Sequence, residues 1–387
     1  MHPITKAIRT QTERTAEMEH SSPLFLTSSF CYNNAEDMRA AFADEIDANI
    51  YSRFSNPSVQ EFIDKICVLE GAEDGYATAS GMSAVFSSFM ALMKQGDHLL
   101  ACRSIFGSTH TVITKILPKY GIDYTYVDAA DLQSWEAAIR PNTKMIYLET
   151  PTNPSLEIID LEQLVAIARR HNIIVNVDNC FATPVGQRPI DFGVDLVVHS
   201  ATKWIDGQGR VLGGIIAGKK ELIHDIYMFC RSTGPALSPF NAWVMSKSVD
   251  TLDVRMERHA ANALHIATAL EGHQKIAWTR YPFLSSHPQH DIAKKQMNNG
   301  GGIVCFELKG GVTAGRRFLD NLKLLSLTAN LGDARSIASH PASTTHAKLT
   351  EVERESVGIS AGLIRISVGL EHAEDIAGDI LQALDTL

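Results

Sequence analysis

Val197-Val198-His199-Ser200-Ala201-Thr202-Lys203-Trp204 is the stretch on which the reading of this chain turns. A β-branched run gives way to small hydroxyl residues and one lysine, so the octamer reads as a strand that presents Lys203 at its carboxyl end. Taken alone, it fits a lysine set to form an imine and a strand followed by a solvated lysine equally well. What the rest of the chain brings to the same edge decides between them.

Upstream, short apolar strands alternate with helical patterns. Strand Ile173–Val177 ends at Asp178 and follows the amphipathic helix Leu161–His171, which Asp160 opens as a cap. Before these come strand Met145–Glu149, helix Leu132–Ile139, strand Asp123–Val127, helix Thr109–Tyr120 and strand His98–Ala101. A further short strand from Tyr76 turns through Ser80-Gly81 into helix Met82–Lys94, and strand Leu212–Ala217 follows the octamer. This alternation predicts an α/β fold with a mainly parallel seven-stranded sheet covered on both faces. Ligands of such sheets sit outside the carboxyl ends of the strands. Glu149, Asp178 and Ser200–Lys203 all fall there.

The flanks read differently. Residues 1–55 have weak periodicity, broken by Ser21-Ser22-Pro23, Thr27-Ser28-Ser29 and Asn33-Asn34, which fits an extended arm. Helical spacing begins with Val59, Phe62, Ile63, Ile66 and Leu69 and stops at Gly71. A long helical run, Trp243–Leu270, leads to Gly300-Gly301-Gly302, strand Ile303–Leu308, strand Leu363–Val368 and a closing helix, Ala373–Leu384. The expected organisation is an arm over 1–55, an α/β domain over 56–250 and a smaller α+β C-terminal domain over 251–387.

Composition removes several function classes. The chain has 387 residues, 45% hydrophobic and 20% charged, enough for two domains with real cores. A net charge of −9 without a basic stripe argues against nucleic acid. No apolar run approaches the roughly 20 residues of a bilayer span, and the first residues lack the apolar core of a signal peptide. Six scattered cysteines with no CxxC pair argue against zinc and disulfides and point to a cytoplasmic setting. His287 and His290 flank Pro288, a loop signal rather than metal spacing, so no metal is expected. Gly207-Gln208-Gly209-Arg210-Val211-Leu212-Gly213 misplaces the third glycine of a nicotinamide fingerprint, and Lys220 stands where a P-loop needs Ser or Thr.

An imine-forming Lys203 calls for pyridoxal phosphate. That cofactor needs an acid at its pyridine nitrogen, a phosphate cradle, a flat stacking partner and a cation for the substrate carboxylate. Asp178 ends the strand before the lysine strand and suits the nitrogen. The Ser80-Gly81 turn offers backbone N–H groups of Gly81 and Met82, and Ser200 and Thr202 offer hydroxyls, to a phosphate. Tyr51 and Arg53, two apart in a segment read as extended, form a second phosphate-binding pair. Phe106 is the candidate stacker and Arg365 the carboxylate clamp. Each has an ordinary structural reading; their convergence on one sheet edge favours the chemical one.

Longer motifs carry a resemblance: YSRFSNPSV (51–59), ATASGMSAV (77–85), IYLETPTNPSLEIID (146–160), VDNCFATP (177–184), HSATKWIDGQG (199–209), HPASTTH (340–346) and LIRISVGLEH (363–372). Over nearly its whole length the chain resembles the cysteine/methionine-metabolism group of fold-type I pyridoxal phosphate enzymes. The resemblance implies Lys203 as Schiff-base lysine and catalytic acid/base, Asp178 at the pyridine nitrogen, and Gly81, Met82, Ser200 and Thr202 at the phosphate. It places Tyr51 and Arg53 at the phosphate of a neighbouring subunit's cofactor, Asn153 near the cofactor oxygen, and Arg365 on the substrate carboxylate. It also implies a homotetramer built from two active dimers.

Phe106 stands where γ-lyases and cystathionine enzymes of the family usually have tyrosine, so it keeps a ring but has no phenolic proton. Asn330, in Ser326–Asp333, stands where many members have serine and is a further substrate-side candidate. Together with HSATKWIDGQGR these features are most similar to the O-succinylhomoserine sulfhydrylase branch. That branch implies an amino-acid substrate, sulfide as thiol donor and γ-replacement. O-Acetylhomoserine sulfhydrylase, cystathionine γ-synthase and methionine γ-lyase activities stay open, as does a silent binding protein on the same fold. No stretch reads as a pocket for one acyl group.

Overall fold

The computed structural model describes residues 1–344, 350, 351, 354 and 358–387. Thr345 and His346 of the HPASTTH motif lie outside them. Seven strands form the larger sheet: β1 (Asp74–Thr78), β2 (His98–Cys102), β3 (Asp123–Val127), β4 (Thr143–Glu149), β5 (Ile174–Asp178), β6 (Leu196–Ser200) and β7 (Gly214–Gly218). Their order is β1-β7-β6-β5-β4-β2-β3, parallel except at β7, which runs antiparallel to both neighbours. The reversal follows from the connection. Residues 201–213 contain no helix, so the chain turns back beside β6 instead of crossing over a face.

Residues opposite one another show what this does. Thr78 pairs with Gly214 from one side and Ser200 from the other, so the exits of β1 and β6 flank the start of β7 at the same sheet edge. The inner strands β2, β4, β5, β6 and β7 are largely buried, and the helix α4 (Gly81–Leu92) covers one face of the sheet through Ala84, Val85 and Phe89. Phe89 meets Tyr147 of β4 edge-on, with ring centroids 5.1 Å apart.

The smaller sheet is β8 (Ile276–Arg280), β9 (Ile303–Leu308), β10 (Ser326–Leu327), β11 (Ile337–Ser339) and β12 (Leu363–Ser367), in the order β10-β11-β12-β9-β8. Among the described residues no helix is long and apolar enough to cross a membrane.

Several expectations need correction. The first 55 residues are not simply extended: α1 (Pro3–Arg9) and α2 (Ala35–Phe42) form there, capped by His2 and Asn34. α3 (Pro57–Glu70) and α4 (Gly81–Leu92) match the periodic segments, with Gly71 at φ +75° ending α3. The run Trp243–Leu270 is two helices, Pro239–Val249 and Leu252–Leu270, and helix Lys220–Thr233 was not anticipated. The segment 109–120 is a short α-helix, Gly107–Thr111, then a π turn and a 3₁₀ turn. Tyr51–Phe54 is a turn, with Phe54 N–H donating to the Tyr51 carbonyl at 2.7 Å, rather than an extended segment.

Candidate active site

A cavity of about 280 Å³ opens at the carboxyl edge of the larger sheet. Lys203, Asp178, Ser200, Thr202, Gly81, Met82, Phe106, Asn153 and Arg365 all line it. Nine of the anticipated residues, scattered over some 285 positions (81 to 365), thus meet in one place.

The turn after β6 is held from three sides. Arg255, buried in helix Leu252–Leu270, donates to the carbonyls of Trp204 (2.6 Å) and Ile205 (3.2 Å). Gly332, at φ +75°, lies so close that a Cβ there would fall 2.8 Å from the Lys203 carbonyl carbon. Lys203 Nζ donates to Asn330 Oδ1 at 2.6 Å. Burial draws the Lys203 amine below the ordinary lysine range, with the Arg365 charge acting in the same sense. The amine is thereby shifted toward the neutral form that a nucleophile or base needs.

Asp178 ends β5, and its exposed part faces the enclosed cavity. Its Oδ1 accepts the Cys180 N–H at 2.9 Å and its Oδ2 accepts the Tyr147 hydroxyl at 3.4 Å. Desolvation raises its carboxyl above the usual range, and the Cys180 N–H and the nearby His199 oppose that rise. Glu149, at the end of β4, is buried and accepts the Phe106 N–H at 2.7 Å. Burial, and next the charge of Asp178, hold the Glu149 carboxyl well above the carboxylate range. This bond fixes the backbone of Phe106, a residue that remains 46% exposed at the cavity wall.

Across from these, Ser80 caps α4 by accepting the Ser83 N–H at 3.1 Å. Among the described residues the N–H groups of Gly81 and Met82 donate to no protein acceptor. They are the first two of a 12-residue helix, where the helix dipole favours an anion. A Cβ on Gly81 would sit 2.5 Å from Ser200 Cβ, so only glycine lets the turn approach β6 this closely. Thr202 already exchanges hydrogen bonds with Gly213, donating to its carbonyl (3.3 Å) and accepting its N–H (3.1 Å).

The smaller sheet contributes Arg365. It is buried on β12, paired with Ser339 and Cys305, and its Nη1 donates to Asn153 Oδ1 at 3.0 Å. Burial lowers its pKa below the free arginine value.

Tyr51 and Arg53 are not brought into the cavity of their own chain. The Arg53 guanidinium lies 5.6 Å from the Tyr51 ring centre and lines a separate recess with Tyr76, Lys220 and His224. Asn330 touches the site through the Lys203 amine, while its neighbours Ala329 and Leu331 line the cavity. Sequence reasoning singled out the Ser80-Gly81 turn but did not assign Cys180, Phe181 and Leu212, which also line the cavity. The two apolar side chains carried no signal of it.

The residues present fit pyridoxal phosphate. A lysine whose amine burial draws below its ordinary range, a desolvated carboxyl and free N–H groups at a helix start share one cavity, and a Cβ at Gly81 would close the turn. Among the described residues there is no metal-binding cluster.

The model for Cys/Met metabolism PLP-dependent enzymes matches residues 4–385. An O-succinylhomoserine sulfhydrylase of Pseudomonas aeruginosa is 45% identical, over 99% of this chain and 95% of that protein. An L-methionine gamma-lyase of Fusobacterium nucleatum is 42% identical, over 99% of this chain and 98% of that protein. A Campylobacter jejuni structure described as an O-acetylhomoserine (thiol)-lyase superposes with a TM-score of 0.95 at 34% identity, covering all of both chains. It was solved with N'-pyridoxyl-lysine-5'-monophosphate.

Proposed function

The chain belongs to the Cys/Met metabolism family of pyridoxal phosphate-dependent enzymes, and we propose that within it the protein catalyses γ-replacement, converting O-succinylhomoserine and hydrogen sulfide to homocysteine and succinate in methionine biosynthesis. The observation that carries the choice is Phe106. The wall where a proton-carrying phenol would stand holds a hydrocarbon ring, fixed through its backbone by Glu149. Proton movement then falls to the Lys203 amine in the cavity.

When bound, the cofactor supplies an electron sink for charge developing at the substrate α carbon. The chain's own groups do the rest. Gly81, Met82, Ser200 and Thr202 would hold the phosphate, and Asp178 would meet the pyridine nitrogen. Arg365, steadied by Asn153, takes the α-carboxylate in a two-point grip. Lys203 would take the α proton and, once it has passed that proton on and is neutral again, a β proton. Succinate departs with the electron pair of the γ carbon–oxygen bond, hydrosulfide adds at the same carbon, and Lys203 returns the protons. Asn330 gives the lysine amine a fixed resting place between these transfers.

Tyr51 and Arg53 are assigned to the phosphate of a neighbouring subunit's cofactor, in a homotetramer made of two active dimers. Six free cysteines suit a reducing cytoplasm.

The test is product analysis. Purified enzyme is incubated with O-succinyl- or O-acetylhomoserine, each with sulfide, cysteine or no thiol. Homocysteine formed only with sulfide, and fastest from the succinyl ester, is the expected result. Cystathionine as main product, or 2-oxobutanoate regardless of thiol, overturns it. Lys203→Ala should abolish the lysine-linked absorbance of the cofactor.

A further inference from the structure

Beneath Asp178 lies a polar cluster that the reading above leaves unused. Glu70, the last residue of α3, and His199 of β6 are 0% and 1% exposed, and Glu70 Oε1 is 2.5 Å from His199 Nε2. Asn179, directly after Asp178, donates from Nδ2 to the same Glu70 oxygen at 3.1 Å and to the Gln187 carbonyl at 2.8 Å. Gln187 returns a bond to Asn179 Oδ1 at 3.1 Å. The other Glu70 oxygen is buried with no protein partner among the described residues.

A carboxylate placed so deeply is costly unless something compensates it. The nearest cation-capable group is His199, and next to His199 across the sheet is the end of β5, where Asn179 N–H donates to the Val198 carbonyl at 3.1 Å. The arrangement runs carboxylate, imidazole, carboxylate: Glu70, His199, Asp178. His199 thus stands between Glu70, which it touches, and the strand end that carries Asp178, whose carboxyl it holds down against desolvation. Burial of both side chains keeps water from screening their contact.

We propose that Glu70 is a positioning residue for the cofactor: acting through His199, it keeps Asp178 a carboxylate, and through Asn179 it fixes the strand end that carries Asp178. Glu70 touches neither cofactor nor substrate. The inference rests on the assignment of Asp178 to the pyridine nitrogen, and the experiment separates the two.

Apoenzymes of wild type, Glu70→Gln, His199→Gln and Asp178→Asn are compared by infrared spectroscopy and by titration with pyridoxal phosphate. In wild type, Asp178 contributes a carboxylate band. In Glu70→Gln and His199→Gln a carboxylic-acid band appears that a second substitution, Asp178→Asn, removes, and cofactor affinity falls about tenfold, one pK unit. The two substitutions combined weaken binding no more than either alone. Glu70→Asp, which keeps the charge, recovers part of the affinity, which a purely packing role does not predict.

If Asp178→Asn binds the cofactor as wild type does, the assignment of Asp178 itself is wrong. If Asp178→Asn weakens binding while Glu70→Gln and His199→Gln remain within twofold of wild type, only the role of Glu70 falls. A carboxylic-acid band from Asp178 in the wild-type apoenzyme overturns the inference even if neither Glu70→Gln nor His199→Gln folds.

Discussion

Gly81→Ala is the sharpest single perturbation of the candidate site. The added methyl carbon would lie 2.5 Å from Ser200 Cβ, 2.7 Å from its Cα and 2.9 Å from its Oγ. Two of these atoms cannot swing away, because the Cα and Cβ of Ser200 are tied to the end of β6. Reaching an ordinary contact of about 3.4 Å therefore means that α4 and β6 part by about 0.9 Å. Overpacking of this kind costs on the order of 1–3 kcal/mol of stability. The same displacement carries the Gly81 and Met82 N–H groups away from the phosphate, and losing one or two charge-assisted hydrogen bonds weakens cofactor binding by roughly 10- to 100-fold. The matched control is Gly378→Ala on the closing helix, where nothing lies within 4 Å of the new methyl. It should stabilise the protein by about 0.5–1 kcal/mol through helix propensity alone. Urea denaturation of both apoenzymes and titration with pyridoxal phosphate read the two effects. A Gly81→Ala protein as stable as wild type, with unchanged cofactor affinity, refutes the packing argument and the phosphate assignment together.

Three further outcomes are expected. Arg365→Lys keeps a positive charge but loses the planar fork, so substrate KM should rise roughly 10- to 100-fold while cofactor absorbance is retained; an unchanged KM moves the carboxylate site elsewhere. Asn330→Ala removes the acceptor of the Lys203 amine and should lower kcat about tenfold with cofactor loading intact, as single-turnover kinetics will show. His98 is buried between Thr143 and Thr125, and burial pulls its pKa from 6.5 to about 4. The unfolded chain therefore binds the extra proton first. The stabilising contribution is complete above pH 6.5 and is lost as pH falls toward 4. Denaturation of wild type and His98→Gln at pH 7.5 and pH 5 should show a shallower acid loss in the variant; equal slopes exclude His98 as a source.

The α/β alternation was legible because each strand is a short apolar run between helical periods. Asp178 and Lys203 were legible because strand ends define the ligand edge. The antiparallel β7 was not, since its direction depends on a connection without a helix rather than on its own residues. The break between helices Pro239–Val249 and Leu252–Leu270 carries no glycine or proline, so periodicity ran straight through it. Glu70 and His199 are 129 positions apart and each looks ordinary locally: a glutamate in a final helical turn and a histidine in a strand. Their meaning exists only in the 2.5 Å between them. Tyr51 and Arg53 lie together, yet neither lines the sheet-edge cavity of its own chain, which two positions in a sequence could not reveal.

The crowding around Gly81 has a counterpart at Gly214, where a Cβ would fall 2.2 Å from the Ser80 carbonyl oxygen. One wall of the cavity is thus backbone pressed on backbone, and no side-chain exchange can reshape it without moving the strands. A second part of the lining, with Phe106, Ala329 and Leu331, is made of side chains. A lineage descending from such a cavity is free to explore new leaving groups and thiols only on that second wall. Its cofactor would be inherited almost unalterably, while its chemistry could drift.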